Sequence, residues 1–219
     1  MSAKKMSASE AVLQRQIRVV MLLDAAEAAG LAPISILRLH TFAYLSNVLA
    51  PVWDMPILNG TILKRSGGPF YPDLQRDLDR LVGLGVVKIS NVGHVQDEDK
   101  RWRLEGSYRL RKEFAAPIVA ILEGFQEERR LQAFIGELGY ALSSLSDEEL
   151  DYAVSEDATY SDPMVTNNNV IDFSEWRQRN YSANAARQFD RYIAGGGATP
   201  GERIHMYVRH LHKRIQGER

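Results

Sequence analysis

Residues 63–89 constrain the fold of this 219-residue chain most, because they predict a turn, a helix and a strand in immediate succession. Pro72 fits the first helical turn, where its missing N–H group costs nothing, and Asp73 suits the positive end of the helix dipole. Four apolar residues then recur at the spacing of one helix face: Leu74, Leu78, Leu81 and Val82. The segment therefore predicts an amphipathic helix with one buried face.

The end of this helix and the element after it define a recognisable pattern. Gly83 and Gly85 are expected to stop the helix in the left-handed conformation that glycine tolerates best. Residues 86–89 then change to mainly β-branched types, which favour a strand. A helix that closes on glycines and enters a hairpin is typical of a winged helix. We therefore predict a mostly α fold with a small β wing, followed by a C-terminal helical extension.

The flanking segments supply the remaining elements of that domain. Ser7 and Glu10 have capping-box spacing and open a predicted first helix that ends near Gly30. A second helix is predicted over residues 35–50, which precede a proline. The predicted wing strands cover residues 86–92 and 101–109, with a polar tip at 96–100. Trp102 and Leu104 alternate with arginines in the second strand, which predicts that they form its half-buried face.

The predicted domain boundaries follow from these elements. They are a disordered N-terminus at 1–6, a winged-helix domain at 7–112, and a helical extension at 113–219 with a glycine-rich joint at 195–197. Within the extension, helices are predicted over 113–143, from Ser146 to Val154, over 174–193 and over 203–216. Residues 170–173 are predicted to be extended.

Composition excludes several classes of protein. The absence of cysteine removes disulfides, thiolate catalysis and cysteine zinc sites. No segment reaches the about 18 apolar residues that a membrane helix needs. Without a hydrophobic run near the N-terminus, no signal peptide is predicted, and a cytoplasmic location with no membrane partner is expected. No catalytic motif is recognisable, so we expect neither enzymatic activity nor a small-molecule substrate, cofactor or metal.

Basic residues gather around the predicted wing and in the last helix. The ten predicted to contact a partner or DNA are Lys64, Arg65, Arg76, Arg80, Lys100, Arg101, Arg103, Arg209, Lys213 and Arg214. On the predicted third helix, however, carboxylates are at least as numerous as cations among the positions expected to be exposed: Asp73, Gln75, Arg76, Asp77, Asp79 and Arg80. DNA affinity depends largely on neutralising phosphates. A base-reading third helix is therefore disfavoured, and the wing arginines either lie on a phosphate backbone or form a solvated strand face.

Two other groups of polar residues contain side chains that can bind metal ions. Acidic residues are dense between Glu123 and Asp162, including Asp157, and are predicted to form a solvated face or a docking surface for a basic partner. His205, His210 and His212 lie five and two residues apart, whereas helical neighbours lie three or four apart. They therefore predict a basic helix rather than a metal site. His40 is predicted to be a hydrogen-bonded core residue.

Three segments carry a resemblance to a known family: residues 39–45 of the second helix, 68–74 before the third helix, and 81–87 at its end. Over about the first half of the chain, they resemble the middle component of bacterial ABC-three-component defence systems, the group that includes the Lamassu accessory subunit. The resemblance implies a subunit without catalytic residues that bridges an SMC-like ATPase and an effector in antiphage defence.

The expected function is thus a non-catalytic bridging subunit, with the SMC-like ATPase and the effector as partners and non-specific DNA as a contact within the complex. Two alternatives remain open. One is a winged-helix transcriptional regulator that binds DNA. The other is an antitoxin-like adaptor that masks a toxin.

Overall fold

The computed structural model describes residues 7–55, 61–65, 67–96, 100, 102–163, 170–172, 180–192 and 197–217. The predicted N-terminal disorder at 1–6, most of the hairpin tip, and the first part of the helix predicted at 174–193 lie outside these residues. The predicted glycine joint falls outside them as well, except for Gly197.

Helices dominate the described residues. They are α1 (Ala8–Ala28), α2 (Ile36–Leu49), α3 (Pro72–Gly83), α4 (Lys112–Leu122), α5 (Gln126–Leu142), α6 (Asp147–Tyr152), α7 (Tyr181–Gln188) and α8 (Pro200–Ile215), with single 3-10 turns at Ala50–Trp53 and Phe189–Tyr192. The strands are β1 (Ile34–Ser35), β2 (Thr61–Arg65), β3 (Gly68–Phe70), β4 (Val87–Gln96), β5 (Trp102–Leu110) and β6 (Val170–Asp172). None of the helices in the described ranges is long and apolar enough to cross a membrane.

Local sequence signals place most helix ends. A reciprocal capping box opens α1, α6 and α8, where Ser7, Ser146 and Thr199 accept from the backbone N–H three residues later. Each such cap stabilises its helix by about 0.5–2 kcal/mol relative to alanine. Gly85 adopts the predicted left-handed conformation with φ +75°. The same prediction is wrong for Gly83, which is the last helical residue of α3.

The first sheet has the strand order β1-β5-β4 and is antiparallel. The β4–β5 hairpin is in register from the Val87–Leu110 pair to the Gln96–Trp102 pair, with a bulge between Ser90 and Gly93. β4 is longer than predicted and extends the hairpin to residue 96, whereas β5 has the predicted length and is shifted by one residue. The two-residue strand β1 pairs with the inner half of β5, which fastens the base of the hairpin between α1 and α2.

The second sheet joins the two halves of the chain. Its antiparallel order is β3-β2-β6, and Leu63 lies opposite Val170. The predicted extended segment at residues 170–173 therefore contributes an edge strand, with Phe173 outside the described residues. Residues from the predicted extension thus complete a sheet that begins in the predicted winged-helix domain.

One contiguous core is built from both halves of the sequence. The centre of α1, residues 19–23, is at most 2% exposed, as its uniformly apolar sequence predicts. Most of α2 is buried as well, and α5 packs along α1. Phe134 of α5 and Leu211 of α8 are fully buried in the same cluster as Leu22. The helical extension is therefore part of the core rather than an appendage to it.

The prediction of a single helix over residues 113–143 is wrong, because the chain forms two helices, α4 and α5, with a break between them. The break contains Gly124, and glycine costs about 1 kcal/mol in a helix relative to alanine. Phe125 acts as the residue before α5, with extended backbone angles. Apolar periodicity continues through the break, which is why the pattern alone suggests one helix.

Leu78 tests the buried face of α3. Its side chain is fully buried, and Leu74 and Leu81 are buried on the same face. We expect Leu78→Ala to lower the free energy of unfolding by about 2–5 kcal/mol, because it removes buried methyl groups and leaves a cavity. Chemical denaturation of both proteins measures this difference. A loss below about 0.5 kcal/mol, which is typical of surface positions, would contradict the packing.

Candidate partner-binding surface

The outer half of the β4–β5 hairpin exposes large apolar side chains. Trp102 is 66% exposed and Leu104 is 53% exposed, so the prediction that they form a half-buried strand face is wrong. Tyr108 and Leu110, at the inner end of the same strand, are buried. The physical reason is length: β1, α1 and α2 contact β5 at its base, and the hairpin extends beyond them.

Two large exposed apolar residues lie on one face of the hairpin. Trp102 and Leu104 alternate along β5 and therefore share that face with their partners on β4, Gln96 and His94. Val95 pairs with Arg103 and so belongs to the other face, and Val92 lies in the bulge. We name the pair Trp102 and Leu104 the hairpin surface. Single exposed apolar residues are ordinary, whereas clusters mark interaction sites.

Helix α3 presents mixed and largely internally paired charge. Arg76 Nη2 lies 2.5 Å from Asp73 Oδ1, and Gln75 Nε2 donates to Asp79 Oδ1 at 2.9 Å. Asp77 was predicted to be exposed but is buried, because its carboxylate pairs with Arg15 of α1 at 2.7 Å. This contact fixes α3 against α1. Arg80 is exposed in the last turn of the helix.

Two predicted contact residues act within the fold. Lys64 is 9% exposed; its Nζ donates to the carbonyl oxygen of Tyr160 and lies 5.0 Å from the Tyr160 ring centre. Burial lowers the pKa of the Lys64 ammonium group, with Asp162 opposing the shift. The Arg65 guanidinium lies 4.0 Å from the centre of the Phe70 ring. These two cations fasten β2 to neighbouring residues.

Of the predicted contact residues of the hairpin, Lys100 and the backbone of Arg103 lie at its distal end. Lys100 is exposed, and its carbonyl oxygen accepts from Gln96 Nε2 at 3.1 Å. Arg103 lies opposite Val95 in the strand register. Arg101 and the side chain of Arg103 are outside the described part of the structure.

Helix α8 carries the remaining predicted cations. Arg209 and Lys213 are exposed, whereas Arg214 Nε pairs with Glu156 Oε2 at 3.1 Å. α8 begins at Pro200, three residues before the predicted start, because Thr199 provides the cap. The described cations among the predicted contact residues thus fall at four separate places: β2, the hairpin, α3 and α8.

The three histidines of α8 make different contacts. His205 Nε2 lies 2.9 Å from Glu137 of α5, and His212 Nδ1 lies 2.9 Å from Glu149 of α6. His210 packs against the rings of Phe189 and Tyr207, and burial lowers its pKa. Within the described ranges, no group of three or more histidine, aspartate or glutamate side chains is arranged to hold a metal ion.

Asp157 is a buried structural residue that the sequence pattern misplaced. It was predicted to belong to a solvated acidic face, but it is fully buried. Tyr44 Oη and Tyr207 Oη donate to its two oxygens at 2.6 Å each. The backbone N–H groups of Thr159 and Tyr160 donate to Oδ1 at 3.0 Å. The carboxylate thereby links α2, α8 and the turn after α6, and burial raises the pKa of both tyrosines.

A second buried polar group centres on Arg18 of α1. Its Nη2 donates to Ser46 Oγ at 2.7 Å and Asn47 Oδ1 at 3.1 Å, and burial lowers the Arg18 pKa to about 10. Asn47 Nδ2 in turn donates to Tyr71 Oη at 2.9 Å. The Tyr71 backbone N–H donates to Nδ1 of His40, which confirms the predicted core role of that histidine. This network positions α1, α2 and the start of α3.

No protein-family model matches this chain, and no curated protein matches it. The geometry of the hairpin surface, of α3 and of the two buried polar groups is therefore the basis for inferring function.

Replacing Asp157 tests whether the buried carboxylate stabilises the fold. Asp157→Ala removes the acceptor of two buried hydroxyls and of the Tyr160 N–H, whereas the Thr159 N–H keeps Ser182 Oγ as an acceptor at 3.1 Å. We therefore expect a loss of about 3–5 kcal/mol in unfolding free energy. Asp157→Asn keeps one acceptor oxygen and should cost less, about 1–3 kcal/mol. Denaturant titration monitored by circular dichroism measures both.

Glu148→Ala is the matched control, because Glu148 belongs to the same acidic region but is exposed. Its loss should stay below about 1 kcal/mol, the value of a carboxylate near a helix N-terminus. Equal losses for Asp157→Ala and Glu148→Ala would contradict the structural role.

Proposed function

We propose that this chain is a non-catalytic winged-helix subunit that binds protein partners and bridges an SMC-like ATPase and an effector of a defence complex. The observation that carries the proposal is the hairpin surface, where Trp102 and Leu104 are exposed on one face of a hairpin. Tryptophan is enriched among the residues that dominate protein–protein binding energy.

The order of elements supports the winged-helix part of the proposal. A short strand, β1, separates α1 from α2, and α3 leads directly into the β4–β5 hairpin. The sheet order β1-β5-β4 places the short strand beside the returning strand of the hairpin. In a winged helix of this order, α3 occupies the position of the recognition helix and the hairpin is the wing.

The chemistry of the hairpin favours protein over DNA as its ligand. A wing that lies on a phosphate backbone gains affinity by neutralising phosphates with lysine and arginine. The hairpin surface instead exposes apolar side chains. Contact with them would remove water from charged phosphate oxygens without replacing its hydrogen bonds, which is unfavourable. An apolar centre with polar residues around it is the arrangement of a protein interface. His94, Gln96 and Lys100 provide such a rim here.

The charge of α3 favours the same conclusion. Asp73 pairs with Arg76, so the most exposed cation near the start of α3 already has a counter-ion on the same helix. Asp79 adds a further exposed carboxylate, which phosphate repels. The proposed contact residues are Arg76, Arg80, Lys100, Arg101, Arg103, Arg209, Lys213 and Arg214, with Trp102 and Leu104 added. Lys64 and Arg65 are assigned to the fold.

The bridging role fits the separation of these contacts. Lys100 lies at the outer end of the β4–β5 hairpin. Arg209 and Lys213 lie on α8, which packs on α5 and α7. Charges presented at separate places orient different partners and raise association rates more than they raise affinity.

Truncating the hairpin surface tests partner binding. We expect Trp102→Ser combined with Leu104→Ser to weaken capture of the SMC-like ATPase about tenfold or more, because loss of a central aromatic anchor costs about 2 kcal/mol or more. Co-expression with the products of the neighbouring genes and affinity capture measure this. The folded state should be unchanged, since both side chains are exposed.

Leu13→Ser is the matched control, because Leu13 is 57% exposed on α1 and belongs to no proposed contact. Equal capture by the parent, the control and the hairpin variant would contradict the assignment of the hairpin surface.

DNA binding separates the bridging subunit from the regulator. We expect weak binding to duplex DNA without sequence preference, because α3 carries carboxylates beside its cations. Fluorescence anisotropy with random and genomic duplexes over a salt series measures this. A nanomolar, sequence-selective site at physiological salt would favour the regulator, and tight binding of a toxin without the ATPase would favour the antitoxin-like adaptor.

A further inference from the structure

β4 is an edge strand of the first sheet, and its outer half is exposed. It pairs with β5 on one side, and no described residue pairs with its other side. Although α3 packs against β4, residues 91–96 are all exposed. The unpaired side of an edge strand presents backbone N–H and C=O groups that another extended chain can bind.

The register of the hairpin determines which backbone groups face this free edge. The Arg111 N–H donates to the Val86 carbonyl oxygen at 2.9 Å, and this pair continues the register of Val87 opposite Leu110. In an antiparallel ladder, opposite residues alternate between pairs that hydrogen-bond to each other and pairs that do not. The odd-numbered residues of β5 therefore direct their N–H and C=O groups toward β4.

The bulge adds one residue to β4 only, so the alternation along β5 continues beyond it. Gly93 and Val95 lie opposite odd-numbered residues of β5 and hydrogen-bond to that strand. His94 and Gln96 lie opposite even-numbered residues, so their backbone N–H and C=O groups point away from β5. We name the outward backbone groups of His94 and Gln96 the β4 edge.

The β4 edge lacks the side chains that usually prevent strand pairing. Edge strands are commonly protected by lysine, by other charged residues or by proline. Residues 89–96 include no lysine, arginine, aspartate, glutamate or proline. The bulge lies before His94, so both residues of the β4 edge belong to the regular part of the strand. The β4 edge is therefore open to an added strand.

We propose that the protein partner bound at the hairpin surface adds an extended segment to β4 as a further strand, hydrogen-bonded to the β4 edge. This inference rests on the proposed partner-binding function and specifies how the partner is recognised. Partner side chains in register with His94 and Gln96 lie on the same face as Trp102 and Leu104. Apolar residues at alternate positions of the segment extend that apolar face, so the partner carries an extended segment with this pattern.

A second copy of this chain fits the β4 edge less well. If β4 paired with itself about a two-fold axis, His94 and Gln96 of one copy would lie opposite Gln96 and His94 of the other. Such pairing adds no apolar side chain beside Trp102 and Leu104. A partner segment with apolar residues at these positions gains cross-strand contacts that self-pairing lacks.

Amide hydrogen exchange of the free protein tests the register. We expect the backbone N–H of His94 to exchange about tenfold faster than that of Val95, because only the Val95 N–H is bonded to β5. Nuclear magnetic resonance after transfer to deuterated water measures both rates. Slower exchange at His94 than at Val95, or equal exchange, would overturn the assignment of the β4 edge.

An array of short overlapping peptides that spans the products of the neighbouring genes tests strand addition. We expect the parent to bind peptides with alternating apolar residues. His94→Pro removes an outward N–H and places a ring at the β4 edge, so it should bind these peptides about tenfold more weakly than His94→Ala, which keeps the N–H. The fold should survive, because that N–H is not bonded within the hairpin.

Thermal melts check folding, and Gln96→Pro compared with Gln96→Ala tests the same edge should His94→Pro unfold. Binding of no peptide, or equal binding by the proline and alanine variants, would overturn strand addition. Capture of the intact ATPase that is lost only in the Trp102 and Leu104 variant would then still support the proposed function. A parent that dimerises in sedimentation equilibrium, with His94→Pro monomeric, would assign the β4 edge to a second copy and overturn the proposal.

Discussion

The carboxylate of Asp157 is the contact on which the assembly of the two halves of the chain most depends. It accepts hydrogen bonds from the hydroxyl groups of Tyr44 on α2 and Tyr207 on α8, two helices that lie far apart in the sequence. It also accepts from the backbone N–H of Tyr160 and so closes the turn that carries this residue. That turn in turn anchors β2 through Lys64. A buried carboxylate is costly unless its oxygens are saturated with donors. Four hydrogen-bond donors surround the Asp157 carboxylate. Arrangements of the helices that bury this carboxylate without these donors are strongly disfavoured, so one arrangement is selected.

The buried guanidinium of Arg18 has a related role in the first half of the chain. Its contacts are neutral side-chain oxygens of α2, and the same network reaches Tyr71 at the start of α3. Within the described residues Arg18 is bonded to neutral oxygens, and such partners compensate a buried cation less than a carboxylate would. Burial lowers the Arg18 pKa, which is consistent with this. The two buried polar groups thus determine how α1, α2, α3 and α8 are placed, while the apolar core supplies most of the stabilisation.

The β4–β5 hairpin and α4 both expose large apolar side chains. The hairpin surface lies at the end of a sheet whose base is packed, and α4 exposes Phe114 and Ile121 although its other side is in the core. Both lie on regular secondary structure, a hairpin and a helix. Exposed apolar clusters are typical of interaction sites, and this property, more than net charge, directs the proposed function toward protein binding.

The sequence by itself determined the elements that depend on neighbouring residues. Capping boxes placed two helix starts, those of α1 and α6, the period of leucines defined the buried face of α3, and Gly85 marked the turn into the hairpin. It did not determine features that depend on distant residues. The two-residue strand β1 exists only because β5 offers it a partner, and Asp157 is buried only because Tyr44 and Tyr207 converge on it. The exposure of Trp102 likewise depends on where the neighbouring elements end. Local periodicity reports which face a residue occupies, whereas only tertiary packing decides whether anything covers that face.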